Sequence, residues 1–190
     1  RLATGPDWTT APSPVVDNDI YGGESYDARR ERPGWAEPGF DDGDWESAAV
    51  AESPAGQLTP QRTDPIRVTE TLDPVAIHEG EDGPIVDFGQ NHTGWLALDI
   101  DGGQSGEEIT LRHAEALDDE GELRTVDLRS ADAADTYVLG EAAAEGDESV
   151  TYEPRFTYHG YRYAQIEGYP GELTAEDVRS RVVHTDLPPR

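Results

Sequence analysis

Short runs of alternating apolar and polar residues, separated by turns rich in glycine and aspartate, recur between residues 66 and 185. In one run, Leu96, Leu98 and Ile100 alternate with Ala97 and Asp99. A period of two is typical of a strand with one buried face. The pattern predicts strands over residues 66–71, 84–88, 95–100, 108–113, 136–139, 150–156, 161–167 and 178–185. Several short strands with such turns between them predict an all-β fold, an antiparallel β-sandwich.

Helical periodicity is nearly absent from the chain. The one alanine- and glutamate-rich stretch, Gly140–Gly146, is short and bounded by glycine, which favours an exposed loop between strands.

The first 65 residues differ in composition and show little of the alternating pattern. They carry Trp8, Trp35 and Trp45, and show only fragments of strand at Val15–Val16 and Ala48–Ala51. Such a segment is short for a domain with its own core. We expect residues 1–65 to be the trailing part of a truncated β-domain with a linker, or an extended arm packed on the second domain. Residues 66–186 are then the β-sandwich, and 187–190 begin a further linker.

The charge balance excludes several classes of partner. There are 41 acidic residues against 14 basic ones, all arginine, for a formal net charge of -27. This charge repels phosphate backbones and anionic lipids, so neither nucleic acid nor a membrane surface is an expected partner. Disorder is disfavoured as well, because the chain contains 4 Trp and 8 Tyr, the large apolar side chains that disordered acidic segments lack.

The acid excess together with the absence of lysine favours a protein from a halophile, in which salt screens the repulsion between surface carboxylates. An arginine-biased genome would explain arginine in place of lysine but not the excess of acids. Localisation stays open between a high-salt cytoplasm and the extracellular medium.

No catalytic signature is present. The chain lacks G-x-S-x-G, Walker, G-x-G-x-x-G and H-E-x-x-H motifs, and it has no cysteine for a nucleophile or a thiolate ligand. The five histidines are spread without metal-ligand spacing, so each is expected to be structural or exposed, and no metal site is predicted. Among 41 acids, no general-acid and general-base pair can be chosen from sequence.

Four sequence blocks between residues 87 and 171 are more specific to one protein family than any of these motifs. They read DFGQNHTGWLALDIDG, ITLRHAEALDDEGEL, LRSADAADTYVL and YEPRFTYHGYRYAQIEGYPG. Their succession resembles the β-sandwich module that precedes the catalytic domain in bacterial-type α-L-rhamnosidases. Upstream, DIYGGESYDARRERPGW and GFDDGDWESAAV resemble the end of the N-terminal jelly-roll domain of these enzymes, and VVHTDLPPR resembles the linker into their helical barrel.

The resemblance implies a jelly-roll or concanavalin-like sandwich with an accessory, non-catalytic role. In the family the catalytic carboxylates belong to the helical barrel, so no catalytic residue is expected here. The implied partners are the catalytic barrel of the same chain and rhamnose-containing glycans or glycosides.

Some relatives use the jelly-roll domain as a calcium-dependent rhamnose-binding module. By that resemblance, the candidate sugar or calcium contacts are Asp19, Glu24 and Asp27, with Trp35 as a stacking surface. Calcium is the one cofactor that this implies. Tyr21, Tyr26 and Trp35 are equally what a β-domain core needs. The competing functions are a free-standing lectin-like module that binds rhamnose or another glycan, and a structural surface domain.

Four scarce cations lie within or next to these blocks. Arg112, Arg129, Arg155 and Arg162 are each expected to anchor a carboxylate, for instance Glu115 or Asp135, rather than to contact substrate.

Overall fold

The computed structural model describes residues 5–52, 55–141 and 149–187. In these ranges the regular secondary structure is almost entirely β-strand. Its strands are β1 (Thr9–Thr10), β2 (Val15–Asp19), β3 (Gly23–Asp27), β4 (Glu46–Ser47), β5 (Ile66–Leu72), β6 (Ala76–His78), β7 (Ile85–Ile100), β8 (Glu108–Ala114), β9 (Ala134–Val138), β10 (Val150–Tyr152), β11 (His159–Glu167) and β12 (Val178–Thr185). Single 3₁₀ turns lie at Ala28–Arg30 and Val126–Leu128. None of the helices described is long and apolar enough to cross a membrane.

Ten of these strands form one curled sheet. Its order is β2-β3-β9-β8-β11-β7-β12-β5, with β6 and β10 also paired to β7, while β1 and β4 form a separate two-stranded sheet. Strand β7 pairs with β6 and β11 through its first part and with β12 and β10 through its last part. Because different partners flank its two parts, the sheet folds over on itself and encloses the core. The predicted all-β sandwich is confirmed.

The core lies between the folded halves of the sheet. Its fully buried side chains include Leu96, Leu98 and Ile100 of β7 and Ile109 and Leu111 of β8. The alternation in the sequence therefore marks the residues that enter the core.

The longest strand differs from the prediction. Residues 84–88 and 95–100 were expected to be two strands, but Ile85–Ile100 is one strand of 16 residues. The pairing with β11 jumps from Asp87 opposite Tyr163 to His92 opposite Tyr161. Gly89 lies in this bulge with a φ of 79°, and its N–H donates to Asp87 Oδ1 at 2.7 Å. The glycine bends the strand without ending it.

Other predicted boundaries also differ. The strand predicted over residues 150–156 is β10, which ends at Tyr152, and Ala48–Ala51 is not a strand because the pairing with β1 involves Glu46 and Ser47 instead. Most of the loop predicted at Gly140–Gly146 lies outside the described residues.

A hairpin from the N-terminal segment joins the main sheet. Strand β2, which contains the predicted fragment Val15–Val16, is antiparallel to β3. Strand β3 runs parallel to β9, with Ser25 opposite Thr136 and Asp27 opposite Val138. This is the one parallel pair among the strands described. The division at residue 65 stays a prediction, but part of the first segment shares a sheet with the sandwich.

Two of the four predicted arginine anchors form ion pairs. Arg162 binds Asp87 through two bonds of 2.8 Å, and Arg112 binds Glu167. The Arg162 guanidinium, together with the N–H of Gly89, holds the pKa of Asp87 below its usual value. In the described ranges, Arg129 and Arg155 have no carboxylate within ion-pair distance.

The two carboxylates named as possible arginine partners bind other groups instead. Glu115 accepts from the Asn91 amide, and Asp135 pairs with histidine rather than arginine.

Candidate functional site

The first predicted sugar contact, Asp19, ends β2 and shapes the turn into β3. Its Oδ1 accepts from the N–H groups of Tyr21 and Gly22, both at 2.7 Å. These bonds, with Gly22 contributing most, lower the pKa of the Asp19 carboxyl. This is the Asx geometry by which aspartate organises a turn.

The other two carboxylates lie in β3 and are buried. Glu24, 1% exposed, accepts from the Tyr152 hydroxyl at 3.4 Å and from the N–H of Arg155 at 3.1 Å. Asp27 accepts from Arg29 Nε at 2.8 Å and lies 3.3 Å from Arg30 Nε. The Arg29 hydrogen bond is the main reason that the pKa of Asp27 is lowered.

Asp19, Glu24 and Asp27 therefore take part in separate networks. Among the described residues, no group of three close metal-ligand atoms includes them. A sugar or calcium site at these three acids stays a prediction.

The fourth predicted residue, Trp35, lines an open groove. The groove has a volume of about 670 Å³. Aromatic rings and guanidinium groups contribute much of its lining: Tyr26, Arg30, Trp35, Trp45, Arg155 and Phe156. We call this feature the Trp35 groove.

The Trp35 groove presents exposed aromatic surface beside positive charge. Trp35 is 65% exposed and Phe156 is 68% exposed. Arg32, which also lines the groove, lies over the Trp45 ring at 5.6 Å. Flat aromatic surfaces with nearby guanidinium donors suit a ligand that combines C–H faces with hydroxyl or carbonyl groups.

A second arrangement was not predicted. His113 of β8, Asp135 of β9 and His159 of β11 come together in the interior, and we call them the histidine cluster. Their spacing in the sequence is irregular, and only the fold of three neighbouring strands brings them together. The one sequence signal was the placement of His113 and Asp135 within predicted strands or next to them.

The cluster is fully enclosed. Both Asp135 oxygens lie 3.1 Å from His159 Nε2, and Oδ1 also accepts from the N–H of Glu24 at 2.9 Å. The imidazole rings of His113 and His159 stack with centroids 4.2 Å apart. Burial lowers the pKa of His113 to about 3, so this ring is neutral at physiological pH. Burial alone would raise the pKa of Asp135, but the bond from His159 and the neighbouring donors outweigh it and hold that pKa below its usual value.

Family comparisons agree with this architecture. Residues 1–70 match the α-L-rhamnosidase N-terminal domain, and residues 77–184 match the bacterial α-L-rhamnosidase concanavalin-like domain. The fold is therefore that of an accessory β-region found in glycoside hydrolases. The chain belongs to the bacterial α-L-rhamnosidase family, as the four sequence blocks indicated.

Individual relatives show the same likeness. An α-L-rhamnosidase of Streptomyces avermitilis is 42% identical over 99% of this chain, which covers 18% of that protein. One from Formosa agariphila is 32% identical over 95% of this chain and 19% of its own length.

Solved structures agree. The α-L-rhamnosidase structure from Dictyoglumus thermophilum matches with a TM-score of 0.90 and 42% identity, over 97% of this chain and 20% of that one. The Streptomyces avermitilis enzyme complexed with L-rhamnose matches with a TM-score of 0.90 and 40% identity, over 98% of this chain and 18% of that one. The chain thus spans about a fifth of the length of its relatives.

Proposed function

We propose that this chain is a non-catalytic accessory region of an α-L-rhamnosidase, which supports the helical catalytic barrel of the same polypeptide. The observation that carries the proposal is its span, about a fifth of the relatives, with a close structural match throughout. The buried carboxylates are consistent with a scaffold. Glu24, Asp27, Asp87 and Asp135 each accept hydrogen bonds from groups within the fold.

Hydrolysis of a nitrophenyl α-L-rhamnoside tests the accessory role. The 190-residue chain is expected to release no nitrophenol above the buffer rate, because in the family the acid and base carboxylates belong to the helical barrel. The full-length Streptomyces avermitilis enzyme serves as the positive control. An enzyme-like rate from the isolated chain would overturn the proposal.

A second candidate function is carbohydrate binding in the Trp35 groove, with terminal rhamnose of a glycan as the ligand. The exposed rings of Trp35 and Phe156 support it, since the C–H face of a sugar packs on such surfaces. In this form the chain would orient a glycan toward the catalytic domain or act as a lectin-like module.

Calorimetry with L-rhamnose, with and without calcium, measures this binding directly. The wild-type chain is expected to bind at millimolar sugar, and Trp35→Ala to weaken binding by about fivefold, since loss of a stacked aromatic costs about 1 kcal/mol. Tyr21→Ala is the matched control because Tyr21 is equally exposed but does not line the groove. Absence of heat at millimolar sugar would dismiss this candidate, and a calcium requirement would point to Asp19, Glu24 or Asp27.

Adaptation to high salt is a further part of the proposal. At a net charge of -27, repulsion between surface carboxylates is screened only when the Debye length is short, roughly 3 Å at molar salt. The melting temperature is therefore expected to rise between dilute buffer and molar KCl. An unchanged melting temperature would remove the halophilic interpretation.

A further inference from the structure

The members of the histidine cluster lie on three adjacent strands. Strands β9, β8 and β11 are neighbours in the sheet, and Asp135 is directly opposite Leu111 of β8. Because side chains alternate along a strand, His113 points to the same face as Leu111. The potential ligand atoms of His113, Asp135 and His159 all lie within 4.8 Å of one another, and all three residues are buried.

The orientation of the His113 ring is that of a metal ligand. Its Nδ1 lies 2.9 Å from the carbonyl oxygen of Ala133, which can only accept, so Nδ1 carries the hydrogen. In the neutral ring, Nε2 then holds a free lone pair. This buried atom has no hydrogen-bond partner among the residues described, and it lies 4.0 Å from Asp135 Oδ2. Ligating histidines characteristically donate their other N–H to a backbone carbonyl or a carboxylate in this way.

Both carboxylate oxygens of Asp135 face the interior of the histidine cluster. Each lies 3.1 Å from His159 Nε2, so the carboxylate faces that ring evenly. Ligand atoms bound to one tetrahedral zinc ion at bond lengths of about 2.0–2.2 Å are separated by about 3.3 Å. Asp135 and His159 lie 3.1 Å apart, close to this separation. His113 Nε2 lies 4.0 Å from Asp135 Oδ2 and within 4.8 Å of the other ligand atoms, so it would have to approach them by up to about 1.5 Å.

We propose that the histidine cluster is a structural binding site for one zinc-class divalent ion, held by His113 Nε2, His159 Nε2 and the carboxylate of Asp135. Two imidazole nitrogens favour zinc over calcium or magnesium, which prefer oxygen ligands. One carboxylate oxygen and two imidazole nitrogens are three protein ligand atoms, and a water molecule would take the fourth tetrahedral position. On binding, His159 Nε2 gives up the proton that it donates to Asp135, and this proton moves to Nδ1 or to solvent. The ion would cross-link β8, β9 and β11, independently of any sugar or catalytic role.

Metal retention by the complete 190-residue chain tests the site. The protein is stripped with EDTA, loaded with Zn²⁺ and dialysed against molar KCl with millimolar Mg²⁺, so that the numerous surface acids do not hold zinc. One zinc per chain is expected by elemental analysis, with a higher melting temperature than the stripped protein. Loading with Co²⁺ is expected to give the intense visible absorption of a tetrahedral site. Failure to retain zinc under these conditions would overturn the proposal.

Substitutions locate the ion. His113→Asn keeps a donor for the Ala133 carbonyl but removes Nε2, and it is expected to weaken zinc retention by more than about 100-fold, beyond the usual effect of changing a supporting partner. His184→Asn is the control because His184 is exposed on β12, separated from the cluster strands by β7 in the sheet order, and its ring bonds to the adjacent Thr185 carbonyl. Equal retention by wild type and His113→Asn would place the ion elsewhere and reject the site. If His113→Asn does not fold, the wild-type cobalt spectrum decides, because the pale spectrum of octahedral coordination would reject it.

Discussion

Replacement of Gly94 by alanine is expected to remove most of the stability of the fold. Gly94 lies inside β7, paired with His159 of β11 on one side and Val182 of β12 on the other. An added Cβ would overlap the backbone carbonyl oxygen of Arg181. Since that atom belongs to a paired strand, relief requires β12 to move away from β7. We expect a loss of at least about 4 kcal/mol in the free energy of unfolding, a large part of the total for a domain.

Gly160→Ala is the matched control for Gly94→Ala. Gly160 also lies inside a strand, β11, and is opposite Thr93, next to Gly94. Its added Cβ would meet only Glu115 Oε1, at an ordinary contact distance of 3.6 Å. The control is expected to stay within about 0.5 kcal/mol of wild type in urea unfolding followed by tryptophan fluorescence. Similar midpoints for the two variants would show that the approach of β12 to Gly94 is not tight.

The sandwich could be predicted because its signal is local. The alternation of Leu96, Leu98 and Ile100 is a direct consequence of strand geometry, and the same side chains fill the core. The continuity of β7 could not be predicted in this way. Glycine commonly marks a turn in a sequence, and Gly89 therefore indicates the end of a strand. Only the pairing with β11 shows that the chain continues through Gly89 as a bulged strand.

Long-range pairing limited the prediction of the site in the same manner. The parallel pairing of β3 with β9 joins residues more than a hundred positions apart, and nothing in their local pattern specifies it. The family resemblance makes Glu24 a candidate sugar or calcium contact, yet the fold buries it against Tyr152 and the backbone of Arg155. The histidine cluster is not predictable from sequence for the same reason, because the rings of His113 and His159, 46 positions apart, stack only in the folded sheet. Trp35, named by the family resemblance, lines an exposed aromatic groove, and its contact with a sugar stays a prediction.

Removal of the Asp135 carboxylate is the second change with a large expected effect. Asp135 is fully buried and accepts from the N–H of Glu24 and from His159 Nε2. Asp135→Ala leaves both donors buried without this acceptor, which is expected to cost about 3–5 kcal/mol in the free energy of unfolding. For a chain of this size, the melting temperature would fall by about 10 °C. Thermal unfolding in EDTA measures the effect without a contribution from bound metal.

Two further variants separate the loss of the buried hydrogen bonds of Asp135 from the loss of its charge and from the loss of any carboxylate. Asp119→Ala removes an exposed carboxylate in a turn and is expected to change stability by less than about 0.5 kcal/mol. Asp135→Asn keeps an oxygen for the N–H of Glu24 but loses the charge that faces His159. We expect its cost to lie between those of the alanine variant and wild type. An Asp135→Ala protein as stable as Asp119→Ala would contradict the importance of these buried bonds.

The thermal unfolding transition of Asp135→Ala also tests whether the β2–β3 hairpin and the sandwich unfold together. Asp135 lies in β9, between the hairpin strand β3 and the sandwich strand β8, and it accepts from the N–H of Glu24, which ties the hairpin backbone to the sheet. If the β2–β3 hairpin and the sandwich form one cooperative unit, a single transition shifts to lower temperature. If the hairpin is a separate unit, its amides lose protection from hydrogen exchange while those of β7 keep theirs. The burial of Glu24 against Tyr152, a residue of β10, leads us to expect the single transition.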